Sequence, residues 1–169
     1  MHAVTDPDNS REERLDRLIR RYGKELLRLC YVYLKDASQA EDAVQETFLK
    51  AYRRMDTFRG QSSEKTWLFA IAVNVCRDMC RSAWFRCVDR SIDVERLEAQ
   101  IRQPELSLMQ EIMGLPRKYM EVLLLYYYAD MMQSEMAQLL HISVPAVSKR
   151  LAKARQMLKE ALEGGGACE

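Results

Sequence analysis

Apolar side chains recur at steps of three and four residues along most of this chain, which is the spacing of one face of an α-helix. The stripe is cleanest between residues 39 and 55, where small and apolar side chains occupy Ala40, Ala43, Val44, Thr47, Phe48, Ala51 and Met55. The chain has only four prolines and six glycines in 169 residues, so it lacks the frequent turn signals of a β fold. We therefore predict an all-α protein.

Capping signals predict where the helices begin. Ser10 followed by Glu13 is a capping box and predicts a first helix that runs to about residue 34. Ser38 is expected to cap the second helix, over residues 39–55, and Ser63 or Thr66 the third, which ends near residue 82. Shorter helices are predicted over residues 105–113 and from residue 115 to about residue 129.

Residues 84–103 lose the helical periodicity and mix charges freely, so we interpret them as a linker between two small helical domains. The predicted N-terminal domain covers residues 10–83 and the predicted C-terminal domain covers residues 104–163. A helical turn or two over residues 94–101 is possible within the linker. The first nine residues and the glycine-rich tail from residue 164 are expected to be loose.

Residues 132–159 predict two short helices that meet at a tight turn. Ser143 is a plausible N-cap for the second helix, and Pro145 lies in its first turn, where a missing N–H costs little. Five basic residues and no acidic residue lie between residues 143 and 159. This arrangement suits a helix-turn-helix that reads the major groove of DNA. The plainer alternative is a helical hairpin with a solvated basic face.

Two further helix faces are candidates for binding. Asp42, Gln45, Glu46 and Leu49 share one face of the second helix, either as a protein-docking surface with an apolar centre or as a solvated face with one stray leucine. One face of the third helix carries Trp67, Ala70, Asn74, Arg77 and Arg81. That face suits stacking on bases and holding phosphates, whereas the alternative is a half-buried tryptophan beside surface arginines.

The residues needed for catalysis or metal binding do not cluster in this sequence. His2 and His141 have no partner in pattern, and no phosphate-binding, nucleophile or zinc motif occurs, so we expect neither enzyme activity nor a cofactor. The carboxylates of Glu41, Asp42 and Glu46 lie on one helix without a second ligand set, so no metal site is expected.

Charge and cysteine usage indicate the setting and the number of partners. The net charge is only +1, but residues 36–46 are acidic and residues 143–159 are basic, which suggests two different partners. The five cysteines show no paired CxxC spacing, and neither a signal peptide nor a membrane-length apolar run is visible. We expect a reduced, cytoplasmic protein without direct membrane insertion. Cys76, Cys80 and Cys87 are interpreted as small apolar residues, with redox sensing as the alternative.

Three motifs in order resemble those of extracytoplasmic-function (ECF) sigma factors, members of the sigma-70 family. Residues 40–51, AEDAVQETFLKA, resemble the family's polymerase-binding helix. The segments FRGQS at 58–62, TWLFAIAVN at 66–74 and RD at 77–78 are similar to its promoter-melting region. The segments LPRKY at 115–119 and EVLLL at 121–125, followed by residues 135–155, are similar to its DNA-reading domain. The resemblance covers residues 15–162.

This resemblance implies a promoter-specificity subunit of bacterial RNA polymerase. Asp42, Gln45, Glu46 and Leu49 would dock on the clamp helices of the largest polymerase subunit, and the C-terminal domain would contact the flap of the second subunit. Promoter DNA is the implied second partner and an anti-sigma factor a third. The alternative is a stand-alone helix-turn-helix regulator, which would leave the face around Leu49 unexplained.

The resemblance also assigns two sets of DNA contacts. The minus-ten element would be held by the loop and the following helix, through Phe58, Arg59, Gly60, Gln61, Ser62, Ser63, Trp67, Asn74, Arg77 and Asp78. The minus-thirty-five element would be read by Ser148, Lys149, Ala152 and Lys153, with Arg150 and Arg155 on phosphates. His141 replaces the glycine usual in the turn, so it must adopt an unusual backbone angle or the turn must be remodelled. Met132 replaces a capping serine, leaving Asp130 or Gln133 to compensate, and Pro145-Ala146 replace a glycine-threonine pair.

Overall fold

The structure, a computed structural model, describes residues 7–83 and 103–164. Within these ranges the chain forms helices, turns and bends without a strand, which confirms the predicted all-α class. The helices are α1 (Pro7–Leu34), α2 (Ala37–Arg54), α3 (Glu64–Ala83), α4 (Gln103–Gly114), α5 (Arg117–Tyr127), α6 (Gln133–Leu140) and α7 (Val144–Gly164), with a 3-10 turn at Met55–Thr57 after α2.

Helices α1, α2 and α3 pack against one another as an N-terminal bundle. The predicted stripe of α2 faces its interior, since Ala40, Ala43 and Ala51 are fully buried and Val44 is half-buried. These small side chains let α2 lie close to its neighbours, while larger groups such as Phe69 fill the centre. In α1, Ile19 fits the apolar spacing of Leu15, Tyr22 and Leu26, which predicts a core position, but it is 43% exposed and that prediction is wrong.

Two predicted helix starts were wrong. Helix α1 begins at Pro7, three residues before Ser10, and a proline is tolerated in a first turn because its missing N–H would be unpaired there. Helix α2 is capped by Asp36 instead of Ser38: the Asp36 Oδ1 accepts a hydrogen bond from the Gln39 N–H at 2.8 Å. For α3 one of the two expected caps is confirmed, since Ser63 Oγ accepts from the Thr66 N–H at 3.0 Å.

Helices α4, α5 and α6 pack against α7 to form a C-terminal bundle. Helical spacing predicts apolar stripes at Met136, Ala137 and Leu140 of α6 and at Val144, Val147, Leu151, Ala154 and Leu158 of α7. All of these are buried or partly buried except Val144, which is wrong as a core position because it is 44% exposed in the first turn of α7. Tyr127 lies at helical spacing from Met120, Leu123 and Leu124, which predicts a place on the apolar side of α5, but it is 54% exposed. The helix α4 begins at Gln103, two residues before the predicted start, and the turns expected over residues 94–101 lie outside the described residues.

The turn between α6 and α7 has a left-handed residue at its centre. His141 adopts φ 54° and ψ 44°, which confirms the unusual backbone angle expected where relatives carry glycine. Ser143 caps α7 as predicted, with its Oγ accepting from the Ala146 N–H at 3.3 Å. At the start of α6 the compensation expected from Asp130 or Gln133 comes from Glu135, whose carboxylate accepts from the Met132 N–H at 2.8 Å.

The two bundles are in direct contact in this structure. Helix α1 lies against α4, and the buried apolar residues of the described segments form one continuous cluster through both bundles. The candidate binding faces of the two bundles are therefore parts of one continuous body.

Candidate docking and nucleic-acid surfaces

The face of α2 around Leu49 is exposed as predicted. Asp42, Gln45 and Leu49 are exposed and Glu46 is half-buried, with its carboxylate 3.6 Å from Lys50 Nζ. Leu49 shows 52% of its surface to solvent although the same helix buries its other face in the core. The face therefore offers an apolar centre with a polar and acidic rim, which is the composition of a small protein-docking site.

The loop between α2 and α3 is held by a pair of aromatic rings. The ring centroids of Phe58 and Trp67 lie 4.9 Å apart, and the Arg14 guanidinium lies 5.4 Å from the Phe58 centroid. Gly60 adopts φ 69°, a left-handed conformation that a side chain disfavours. The loop residues Arg59, Gly60, Gln61 and Ser63 are exposed, whereas Phe58 and Ser62 are partly buried. The loop thus presents backbone and polar groups on a rigid aromatic base.

A cleft of about 460 Å³ lies where this loop and α3 meet the C-terminal bundle. The N-terminal side of the cleft contributes Gln61, Ser62, Thr66, Trp67, Ala70 and Asn74, and the facing side contributes Met131, Glu135, Gln138, Leu139 and His141. Trp67 is half-buried, as the plainer alternative expected, yet it also lines the cleft with Asn74. Four of the ten residues that the resemblance assigns to the minus-ten element, Gln61, Ser62, Trp67 and Asn74, therefore line this cleft opposite the C-terminal bundle.

Arg77 and Asp78, also assigned to the minus-ten element, are engaged in ion pairs. Arg77 Nε lies 2.8 Å from a carboxylate oxygen of Glu121 in α5, and its Nη1 donates to the Leu139 carbonyl at 3.2 Å. Asp78 pairs with Arg81 within α3 at 2.6 Å. Arg77 is therefore directed at the C-terminal bundle instead of at solvent.

Sequence reasoning missed Glu121, which is the centre of this contact. Glu121 is only 5% exposed, and its carboxylate accepts hydrogen bonds from Arg77 and from the Tyr33 hydroxyl of α1. Burial, and then the charge of Glu121, raise the pKa of Tyr33 above its usual range. The sequence does place one acidic residue inside the apolar run 120–125, and the structure buries all the remaining side chains of that run as well. An acidic residue in such a run indicates a buried carboxylate that needs partners.

A second ion pair between the bundles lies at the surface. Lys65 Nζ of α3 lies 2.7 Å from Asp130 Oδ2, in the loop after α5, and 2.9 Å from Glu25 Oε2 of α1. Burial tends to lower the pKa of Lys65, but hydrogen bonds to Asp130 and Glu25 outweigh it and the pKa is raised. Asp130 is largely exposed, so this contact is expected to stabilise less than the buried one.

The predicted DNA-reading face of α7 is open. Ser148, Lys149, Ala152 and Lys153 are exposed, and Arg150 is half-buried. Arg155 is not a free cation, because its guanidinium lies 4.7 Å from the Tyr126 centroid and 5.9 Å from the Tyr127 centroid. The two tyrosines of α5 therefore fix the position of Arg155, a contact that the sequence pattern did not suggest.

The cysteines of the described segments are poor candidates for chemistry. Cys30 and Cys76 are fully buried and Cys80 is half-buried. A hydrogen bond with Cys30, together with burial, raises the pKa of the Cys76 thiol, and burial raises that of Cys80. Both groups therefore stay protonated near neutral pH, and a thiol is a much weaker nucleophile than a thiolate. Cys87 lies outside the described residues.

Comparison with known proteins agrees with a fold of two helical domains. Residues 18–86 match the family model for Sigma-70 region 2, and residues 105–158 match that for Sigma-70, region 4. The ECF RNA polymerase sigma factor SigW of Bacillus subtilis is 30% identical over 161 residues, which cover 83% of this chain and 84% of SigW. This chain belongs to the ECF sigma factors.

Two solved structures share its fold. The structure of CnrH in complex with the cytosolic domain of CnrY is 28% identical, with a TM-score of 0.66 over 90% of each chain. The sigma factor RpoE, in complex with the anti-sigma factor NepR from Bartonella quintana, is 19% identical, with a TM-score of 0.70 over 90% of this chain and 98% of that one. The second likeness is one of fold alone.

As an ECF sigma factor, the chain is a promoter-specificity subunit that binds core RNA polymerase and promoter DNA, and it is not an enzyme. The presence of both region 2 and region 4 favours this function over a stand-alone helix-turn-helix regulator, which would need only the second. None of the described helices is long and apolar enough to cross a membrane.

Proposed function

We propose that this sigma factor docks on core RNA polymerase through the α2 face and grips the promoter at two points, with the loop and α3 at the minus-ten element and α7 at the minus-thirty-five element. The observation that carries the proposal is the 52% exposure of Leu49 amid Asp42, Gln45 and Glu46. When a partner covers an exposed leucine ringed by polar groups, the free energy of binding becomes more favourable, because the apolar surface leaves water while the rim keeps its hydration.

The docking partner that fits this face is the pair of clamp helices on the largest polymerase subunit. An acidic rim favours a partner surface with basic residues, since complementary charges fix the orientation of two proteins as they meet. The opposite side of α2 is buried in the core, where the hydroxyl of Thr47 donates to the Ala43 carbonyl of the same helix at 2.6 Å. The docking side chains are thus presented on a rigid helix instead of a loop.

The proposed minus-ten site combines the loop 58–63 with α3. Exposed Gln61 and Asn74 supply amide groups that can pair with the edges of unstacked bases, and the half-buried Trp67 supplies an aromatic face. Arg59, Arg77 and Asp78 complete the set of polar groups, with the guanidiniums suited to phosphates. Capture of an unstacked base offsets part of the few kcal/mol that opening of the duplex costs.

The proposed minus-thirty-five site is the exposed face of α7. Ser148, Lys149, Ala152 and Lys153 are open to solvent near the amino-terminal half of this helix, where a recognition helix contacts base edges. Arg150 and Arg155 flank them and suit phosphate contacts. The flap of the second polymerase subunit is the proposed support for this bundle during initiation.

An anti-sigma factor is the proposed restraint on this activity, in the cytoplasm where the polymerase acts. Two chains of the same fold were solved with a bound protein, CnrH with the cytosolic domain of CnrY and RpoE with the anti-sigma factor NepR. In this chain the exposed Leu49 face is the surface that such a partner would need to cover to compete with polymerase.

Run-off transcription with core RNA polymerase on a promoter library tests the proposal. We expect the chain to direct initiation at promoters that share one minus-ten and one minus-thirty-five sequence, and we expect Trp67→Ala with Asn74→Ala to reduce initiation while core binding persists. Tight sequence-specific binding to duplex DNA without polymerase, together with no run-off product, would favour the stand-alone regulator.

A further inference from the structure

The junction between the two bundles contains a buried charge whose recorded partners both come from the other bundle. Glu121 belongs to α5 of the C-terminal bundle, whereas Arg77 and Tyr33 belong to α3 and α1 of the N-terminal bundle. Arg117, one turn before Glu121 on α5, also places its guanidinium 5.1 Å from the Tyr33 ring centroid. We call Glu121, Arg77 and Tyr33 the junction cluster.

We call the arrangement in this structure, with the two bundles in contact, the closed arrangement. The junction cluster favours one relative position of the bundles within it. A carboxylate that is 5% exposed has lost most of its hydration, so it is stable there only while its hydrogen-bond donors remain in place. If the bundles separate, Glu121 and Arg77 both regain water. The contact therefore favours one relative position of the bundles and is lost entirely when they part.

In the closed arrangement the C-terminal bundle faces part of the proposed minus-ten surface across the cleft. Trp67 and Asn74 face Gln138 and Leu139 of α6 across the cleft, and Arg77 donates to the Leu139 carbonyl. The Glu121 carboxylate occupies the guanidinium of Arg77, where a DNA phosphate would otherwise bind. Lys65 and Asp130 fasten the other side of the same cleft at 2.7 Å.

The closed arrangement also cannot reach both promoter elements at once. The centres of the minus-ten and minus-thirty-five elements are about 25 base pairs apart, which is roughly 85 Å along B-DNA at about 3.4 Å per base pair. A compact chain of 169 residues has a radius of gyration of about 15 Å, which is far too small to span that distance. The 19 residues between Ala83 and Gln103 can extend to at most about 65 Å, so separation of the bundles provides the reach.

We propose that the junction cluster is an intramolecular latch: Glu121 holds Arg77 and Tyr33 so that α6 lies across the cleft from Trp67 and Asn74, and the bundles must separate before the chain can grip a promoter. This inference rests on the proposed function for its consequence at the promoter, but the latch itself is a property of the isolated chain. It restrains the sigma factor without any second protein, since the carboxylate competes directly with DNA for Arg77.

Small-angle X-ray scattering of three purified variants tests the latch. Glu121→Ala and Arg77→Ala each remove one side of the buried pair, from different bundles, and Arg81→Ala is the matched control because its ion pair with Asp78 lies within α3. We expect both latch variants to shift the closed-to-open ratio by about a hundredfold, the equivalent of about 3 kcal/mol. Their radius of gyration should rise above that of the wild type, while Arg81→Ala stays compact.

Quenching of tryptophan fluorescence gives a second readout, at Trp67 in the cleft between the bundles. The chain has two tryptophans, so in a Trp84→Phe background the fluorescence reports Trp67 alone. We expect acrylamide to quench Trp67 more strongly in Glu121→Ala and Arg77→Ala than in Arg81→Ala. Unchanged helical circular dichroism in each variant separates opening from unfolding.

The outcomes distinguish the latch from the proposed function. If both latch variants remain as compact as the wild type with Trp67 equally protected, the latch is overturned whatever the transcription assay shows. If they open but Trp67→Ala with Asn74→Ala still supports full run-off transcription, the latch stands and the minus-ten assignment fails. If one latch variant loses its helical signal, the variant that stays folded decides: an open chain supports the latch, and a compact chain overturns it.

Discussion

Glu121 illustrates how the state of one side chain depends on groups that are distant in sequence. Its carboxylate is separated from Tyr33 by 88 residues and from Arg77 by 44 residues, yet it is buried against both. The hydrogen bond from Tyr33 exists only while the phenol keeps its proton, because a phenolate has no hydrogen to donate and would repel the buried carboxylate. The ionisation of Tyr33 is therefore coupled to the integrity of the junction.

The first prediction concerns the stability of the chain in alkali. The pKa of Tyr33 is raised by burial and by Glu121, so the folded chain holds the phenol proton at a pH where the unfolded chain, with a tyrosine pKa of about 10, releases it. This stabilisation is complete below about pH 10 and is lost as the pH rises further. Urea unfolding between about pH 9 and about pH 11 should show a fall in the unfolding free energy that is shallower in Tyr33→Phe, by up to about 1.4 kcal/mol per pH unit. Parallel curves for the two proteins would contradict the raised pKa.

His141 shows a local strain that the turn imposes on a residue with a side chain. Its φ of 54° lies in the left-handed region, which costs a non-glycine residue about 1–2 kcal/mol. The His141 N–H nevertheless finds acceptors at the end of α6, and Ile142 donates to the Ala137 carbonyl at 3.1 Å, so the turn is closed by the usual pattern of a helix C-terminus. Replacement of the family's glycine therefore leaves the helix-turn-helix geometry intact.

At the scale of single helices, α7 combines two kinds of contact surface. Its apolar stripe is buried in the C-terminal bundle, and its exposed face carries the basic residues of the proposed minus-thirty-five site. Lys149 is exposed, while Arg155 is held over the rings of Tyr126 and Tyr127. An amino group open to solvent and an oriented guanidinium suit different tasks, readout and phosphate contact respectively.

The second prediction separates these tasks with two holoenzymes on a promoter library. Lys149→Ala should change which bases are preferred at the upstream element, because it removes a base-edge contact. Arg155→Ala should weaken initiation at all promoters alike and reduce the salt slope of binding by about 1, because it removes a phosphate contact. A change of base preference in Arg155→Ala, with none in Lys149→Ala, would reverse the two assignments.

Helix existence and burial were predictable at this scale, but helix starts were less so. The stripe of α2 predicted its buried face because burial of every third or fourth residue is dictated by helix geometry alone. The start of α2 was misplaced because Asp36 and Ser38 both have oxygen atoms that can cap a helix, and the sequence does not say which backbone angle each adopts. The exposed Tyr127 was assigned to the core for a related reason: its period fits, but its ring pairs with Tyr126 and Arg155 at the surface.

At the scale of the whole molecule, the two bundles are joined by contacts that no local sequence pattern predicts. The α2 docking face and the α7 basic face were predicted because each lies on one helix and keeps its own periodicity. The junction was not, because Glu121, Arg77 and Tyr33 come from three helices whose relative position depends on packing. Arg77 was predicted as a DNA contact and the structure adds a second partner, Glu121, for the same guanidinium.

In this structure the proposed docking face on α2 is open to solvent, whereas part of the proposed minus-ten surface faces α6. The α2 face around Leu49 is exposed in the closed arrangement, whereas the minus-ten residues Trp67 and Asn74 line the cleft. The chain can therefore meet polymerase while the bundles are still in contact, and we expect polymerase binding to precede opening of the cleft at the minus-ten surface. Docking through Leu49 is thus the step on which the rest of the account depends.

Binding of the purified chain to core RNA polymerase, measured with Leu49→Asp, tests that step most directly. The matched control is Ile19→Asp, which places the same charge on another exposed apolar residue, 43% exposed against 52% for Leu49, on α1. We expect Leu49→Asp to weaken binding to core polymerase by at least about thirtyfold, the loss typical of a residue at the centre of an interface, and Ile19→Asp to bind as the wild type does. Wild-type affinity in Leu49→Asp would contradict the assignment of the α2 face as the polymerase-docking surface.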